Sequence, residues 1–218
     1  MPLSPPTPPS NWSRSDVAPP DGAPSVLVLG CGALARELLD VAVRNELANL
    51  RVECLPAVLH NTPERIPDAV RERLERASGY EQVFVAYGDC GTGGLLDAVL
   101  DEFGVERLPG AHCYEFFAGR DLFATMHDDE PGTLYLTDYL TRHFDRIIWR
   151  GLGLDRWPEL RDDYFGNYVR VVYLAQTDDG ARTTEAQDAA RRLGLEFERR
   201  FVGYGEMEPA LVEIGRAS

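Results

Sequence analysis

The chain has 218 residues, 44% of them hydrophobic and 27% charged, enough to build one substantial core. Acidic residues outnumber basic ones by 36 to 22, a formal charge of −14, so the surface repels phosphate backbones and anionic lipid heads, and neither nucleic acid nor a membrane surface is expected as a partner. Every basic residue is Arg and none is Lys, which excludes Schiff-base chemistry, a Walker-type phosphate-binding lysine and a lysine general base. Residues 1–24 hold more than half of the 15 prolines; with so little to bury, this segment is expected to be a disordered tail. From residue 25 the chain alternates. Residues 25–30 read as a buried strand and 33–47 as a helix, 50–55 as a strand and 67–77 as a helix, 82–87 as a strand and 95–103 as a helix, with 105–108 a short fourth strand. Beyond Gly110 the pattern loosens: 137–149 is predicted helical, 168–175 a strand, 181–193 a helix and 195–202 a further strand. Such alternation predicts an α/β fold, doubly wound about a mainly parallel sheet in a Rossmann-like three-layer arrangement, as a single domain over residues 25–214.

Four cysteines, no secretory leader pattern and no apolar run of membrane-spanning length point to free thiols in a cytoplasmic setting. In an open α/β sheet ligands bind beyond the carboxyl ends of the strands, and the residues expected there are chemically distinctive. Gly30-Cys31-Gly32 follows the first strand, His60 the second, Gly88-Asp89-Cys90-Gly91-Thr92-Gly93-Gly94 the third, and His112-Cys113 the fourth. Gly30 to Ala35 fits a G-x-G-x-x-A turn, with Glu53 where an acidic ribose ligand ends the second strand. The glycines Gly88, Gly91 and Gly93 around Cys90 suggest a loop whose amides converge on an anion, with the Cys90 thiol at a helix N-terminus that favours thiolate. Cys54 reads as core, and His127 and His143 as surface positions. No C-x-x-C pair is present, which removes a zinc ribbon and a thioredoxin-like motif.

Leu59-His60-Asn61 before Pro63, then Tyr87-Gly88-Asp89-Cys90-Gly91-Thr92-Gly93, then Cys113 ahead of a stretch ending in Gly119, then Gly132-Thr133-Leu134-Tyr135-Leu136-Thr137, resemble the successive signatures of the family named domain of unknown function 1638. The likeness covers about residues 26 to 175. The resemblance implies a cytoplasmic protein of a kind often encoded beside corrinoid-dependent methyltransferases, and so a role near corrinoid or one-carbon chemistry with proteins of that methyltransferase system as expected partners. Cys90 and Cys113 carry over directly. Where the family usually has His-Asp-Cys, this chain has Ala111-His112-Cys113.

The leading expectation is a metal-binding protein or metalloenzyme in which Cys31, Cys90 and Cys113 are thiolate ligands and His60 or His112 completes the set, a donor combination that suits zinc or an iron-sulfur cluster. The alternative is a NAD(P)-binding oxidoreductase using the Gly30 to Ala35 turn, with Gly30, Gly32 and Glu53 on the cofactor. Two-thiol acid-base chemistry between Cys90 and Cys113, and a non-catalytic factor that delivers a corrinoid or a metal, are further readings of the same residues.

Overall fold

A computed structural model describes residues 26–217; the expected proline-rich tail lies outside the described residues. Among the described residues seven parallel strands form two sheets. The first sheet has the order β2-β1-β3-β4, from β1 (Val26–Cys31), β2 (Leu50–Leu55), β3 (Gln82–Ala86) and the two-residue β4 (Glu106–Arg107). The second has the order β5-β6-β7, from β5 (Thr133–Leu136), β6 (Arg170–Ala175) and β7 (Glu196–Phe201). The central strands β1 and β6 are near-continuous apolar runs, buried on both faces as parallel strands between helical layers must be. Val28 and Phe84 are buried, as the expected parallel sheet requires.

Helices α1 (Ala35–Arg44), α2 (Ile66–Leu74) and α3 (Leu95–Phe103) wind the first sheet. A short helix α4 (Cys113–Ala118) and α5 (Arg120–Asp129) then carry the chain to the second sheet, where Met126 packs with Tyr135, Val172 and Leu174. The opposite face is covered by α6 (Asp138–Arg142), α7 (Leu160–Phe165) and α8 (Gly180–Leu193), whose Phe165, Ala186, Ala190 and Leu193 share a core with Val171 and Tyr173. The last helix, α9 (Met207–Ala217), returns to the first core through Met207, Leu211 and Ile214. Its return is pinned by polar bonds: the Tyr204 hydroxyl donates to Asp40 (2.8 Å) and the Asn49 amide to the Gly215 carbonyl (2.9 Å).

The α/β winding with parallel strands is therefore as expected, but the strands divide between two sheets. β4 pairs with β3 over only two residues, and α4 and α5 then separate it in sequence from β5. The helix expected over 137–149 also divides: α6 stops at Arg142 and the chain widens into a π-type turn over Asp145–Trp149. Among the described residues no helix is long and apolar enough to cross a membrane.

Candidate functional site

Cys31 is the last residue of β1, and its sulfur accepts a 3.5 Å bond from the Ala33 amide as the chain turns through a 3-10 turn into α1. Cys90 follows β3 in a loop clamped to the loop after β4, because the Asp89 and Cys90 amides donate to the carbonyls of Gly110 (2.9 Å) and Ala111 (2.8 Å). That clamp sets Cys90 beside Cys113, the first residue of α4. Cys31, Cys90 and Cys113 line one enclosed cavity of about 20 Å³ together with His60, Tyr87 and Phe116. The volume suits a single water-sized occupant. His60 sits at the rim, open to solvent on one side.

Burial governs the chemistry of the free thiols. It raises the pKa of Cys31, pushes Cys90 up to about 12 and raises Cys113 further, with neighbouring sulfurs adding to the effect at Cys90 and Cys113. The expectation of a Cys90 thiolate at a helix N-terminus is corrected here. α3 begins only at Leu95, behind Gly94, so Cys90 lies ahead of the helix, and desolvation outweighs any dipole. Cys90 also holds a left-handed backbone, φ 53°, a conformation that costs a non-glycine residue about 1–2 kcal/mol and that the clamp to Gly110 and Ala111 sustains. At His60, burial and then the nearby His112 lower the pKa, which leaves a neutral imidazole.

The Gly88–Gly94 loop does gather amides on an anion, and that anion is the protein's own Asp89. Its carboxylate accepts from the amides of Gly91 (3.2 Å), Gly93 (3.1 Å) and Gly94 (2.9 Å) and from the Thr92 hydroxyl (2.7 Å). Burial alone raises the Asp89 pKa, but these bonds together bring it below the usual carboxylate range. Gly91 and Gly93 thus close a turn in which φ is 85° and 63°, and Gly88 backs directly onto Gly110 and His112 backbone.

The turn after β1 is equally full. A Cβ at Gly30 would meet Leu38 Cδ1 at 2.5 Å, and one at Gly32 would meet the Leu55 carbonyl at 2.9 Å and the Ala57 amide at 3.1 Å. These two glycines let α1 and the end of β2 close over the strand, and their contacts are with protein. Glu53 is held by Arg73 (2.6 Å) and Arg51 (3.0 Å), and the Arg73 bond is the main reason its pKa is lowered. His112 is exposed, immediately ahead of α4, and does not line the cavity. A larger hollow of about 260 Å³, lined by Leu39, Val43, Leu47 and Val52, is mainly apolar, with Glu46 its one charged lining residue.

Two residues not expected in the site belong to this region: Tyr87, a member of the family-like signature with no expected role, and Cys54, expected in the core. The Tyr87 hydroxyl is buried with no hydrogen-bond partner of good geometry. Burial raises its pKa, as do Cys31, Cys90 and Cys54, so the hydroxyl lies amid the sulfurs. Cys54, opposite Gly30 in the β1–β2 register, is half-buried near Cys31, and burial followed by Cys31 pushes it up to about 12; it does not line the cavity. Alternation along β3 places Tyr87 with Val85 on one face, a signal available in the sequence. His127 stacks on Phe123 at 6.1 Å, and His143 is half-buried against Tyr139.

Strands, crossovers and a sulfur-lined cavity at the carboxyl end of a parallel sheet define a thiol-bearing α/β protein. The chain belongs to the family described as Protein of unknown function (DUF1638), whose model matches residues 54–211. That span includes Cys54, His60, Cys90 and Cys113 and begins after Cys31. No curated protein and no solved structure matches the chain.

Proposed function

We propose that this protein binds a single soft transition-metal ion, with Cys31, Cys90 and Cys113 as thiolate ligands and His60 as the imidazole ligand. The observation that carries the reading is that three thiols and one imidazole, drawn from four separate strand-end segments, line one cavity of about 20 Å³. Sulfur and imidazole donors suit zinc and do not suit magnesium or calcium. A cavity of one water's size fits one ion better than a multi-iron cluster. The buried Tyr87 hydroxyl is a polar group at the same place, with the Cys31 sulfur beside it and no hydrogen bond of good geometry.

Among the described residues no three His, Cys, Asp or Glu side chains are gathered at ligand distance. Binding therefore requires the cysteines to draw inward and to lose protons that burial makes them hold, so affinity rises with pH. Bound zinc supplies a Lewis acid and an activated thiol or water. Cys31, Cys90 and Cys113 would hold the ion as thiolates and His60 would complete the set, with Phe116 lining the same cavity. The place implied by the family resemblance is a metalloenzyme or accessory factor in corrinoid-linked one-carbon metabolism.

Anaerobic titration of the metal-free protein with cobalt(II) tests the reading. The expected result is a thiolate-to-cobalt charge-transfer band that saturates at one equivalent, with proton release, and that is lost in Cys90→Ser and Cys113→Ser. A titration without that band overturns it.

A further inference from the structure

The second sheet ends in a cluster of different chemistry. Asp138 opens α6 directly after β5 and is buried. Its carboxylate accepts from the Tyr173 hydroxyl (2.6 Å), the Gln176 amide (3.1 Å) and the Thr177 hydroxyl (2.6 Å), all at the end of β6. With those donors in place Asp138 makes no close pair with Arg142, at the other end of α6. The Arg142 Nε and the Thr141 hydroxyl are both buried without a hydrogen-bond partner. Among the described residues, neither Arg142 nor Arg36 has a carboxylate at ion-pair distance.

Positive charge is nevertheless gathered here. α6 packs against both α8 and the turn before α1, which brings Arg182 of α8 and Arg36 of α1 toward Arg142. Burial lowers the Arg142 pKa, Arg36 and Arg182 lower it further, and the attraction of Glu37 and Asp138 does not compensate. His143 is lowered by burial and by the same arginines together with Arg146. Arg182 is tied to Glu185, and Arg146 reaches the Tyr139 hydroxyl at 3.4 Å. Glu37 is itself buried, and burial raises its pKa, so it is a weak counter-charge. In a chain of net charge −14, bringing guanidinium groups together with a buried, unmade Nε bond is costly unless an anion joins them.

We propose that Arg36, Arg142 and Arg182 receive a small oxyanion, a carboxylate or phosphate group of a small molecule, at the carboxyl ends of β5 and β6. Planar guanidinium forks suit both oxyanions, and this is the sheet end at which ligands of α/β folds bind. Helix α6 also contacts the 3-10 turn that follows Cys31. The inference stands on the arginines and does not require a metal in the cavity.

Isothermal titration of the full-length protein in Tris chloride, with inorganic phosphate and separately with malonate, tests it. Saturable binding of either probe is expected, weakened about tenfold or more in Arg142→Met and in Arg36→Gln and unchanged in Arg150→Gln. Arg36 is exposed on α1, so its variant folds even if Arg142→Met does not. Binding of only one probe identifies the source of the oxyanion. No saturable binding of either, or wild-type affinity in Arg36→Gln, overturns the proposal.

Discussion

At the carboxyl end of the first sheet the chain places Cys31, Tyr87, Cys90 and Cys113 around a small cavity; at the corresponding end of the second it places Asp138, Tyr173, Gln176 and Thr177 in a bonded network with arginines alongside. Both sheets are parallel and both use the same end, so the topology is shared and the chemistry is not. In the second region the polar groups are mostly satisfied by one another, which makes the network a structural element beside the unpartnered Arg142 Nε. In the first region the thiols have few partners and burial keeps them neutral. Buried groups left without partners are where a protein has room to take a ligand.

The contrast is sharpest in reactivity. With Cys90 at about 12, its thiolate fraction at pH 8 is about a thousandfold below that of a free cysteine. A disulfide reagent added to metal-free protein should therefore modify Cys90 very slowly, faster as pH rises toward 10, and at the free-thiol rate in guanidinium. Rapid modification of the folded protein would erase the distinction between buried neutral thiols and exposed ones.

Stability separates the regions in the opposite sense. Asp138→Ala orphans three donors and should cost about 3–5 kcal/mol, read from urea unfolding, whereas Cys113→Ala in metal-free protein should cost less than about 2 kcal/mol. Equal losses would show that the cavity is as much a structural element as the Asp138 network. Asp89→Ala removes the acceptor of three amides and a hydroxyl, a loss of about 1–2 kcal/mol. The folded Asp89 pKa is depressed, so its contribution is present above the unfolded value near pH 4 and vanishes as pH falls through the folded one. The difference between wild type and Asp89→Ala should accordingly shrink between pH 5 and pH 2; a constant difference would detach the turn from its carboxylate. Glu53→Gln loosens partly exposed pairs with Arg51 and Arg73 and should cost about 1 kcal/mol or less, with no NADH binding by calorimetry in either protein. Binding abolished by that substitution would instead favour a dinucleotide at the Gly30 turn.

Much of the first region was legible in residue pattern. β2 spans the same residues as predicted, and α3 does so because Gly94 and Gly104, both left-handed, punctuate it at each end. The rule that ligands gather beyond strand ends groups Cys31, Cys90 and Cys113 from sequence alone. The second region was harder to read. β5 is a four-residue strand between Glu130-Pro131-Gly132 and Thr137, too short for its period to show, and periodicity says nothing about which strands pair, so two sheets looked like one. Burial, which sets the Cys90 pKa, and the side-chain direction that makes Asp89 the occupant of its own glycine loop, are tertiary facts. The arginine cluster draws on residues 36, 142 and 182 of three helices, and no local spacing announces it.

The central claim is that the cavity holds one soft metal ion on cysteine sulfur, and the most direct measurement is elemental analysis of full-length protein purified without oxygen, in parallel with Cys90→Ser. The account predicts about one equivalent of a single transition metal in the wild type and its loss in the variant. Less than about a tenth of an equivalent of any transition metal in the wild type, or equal metal in both proteins, would contradict it.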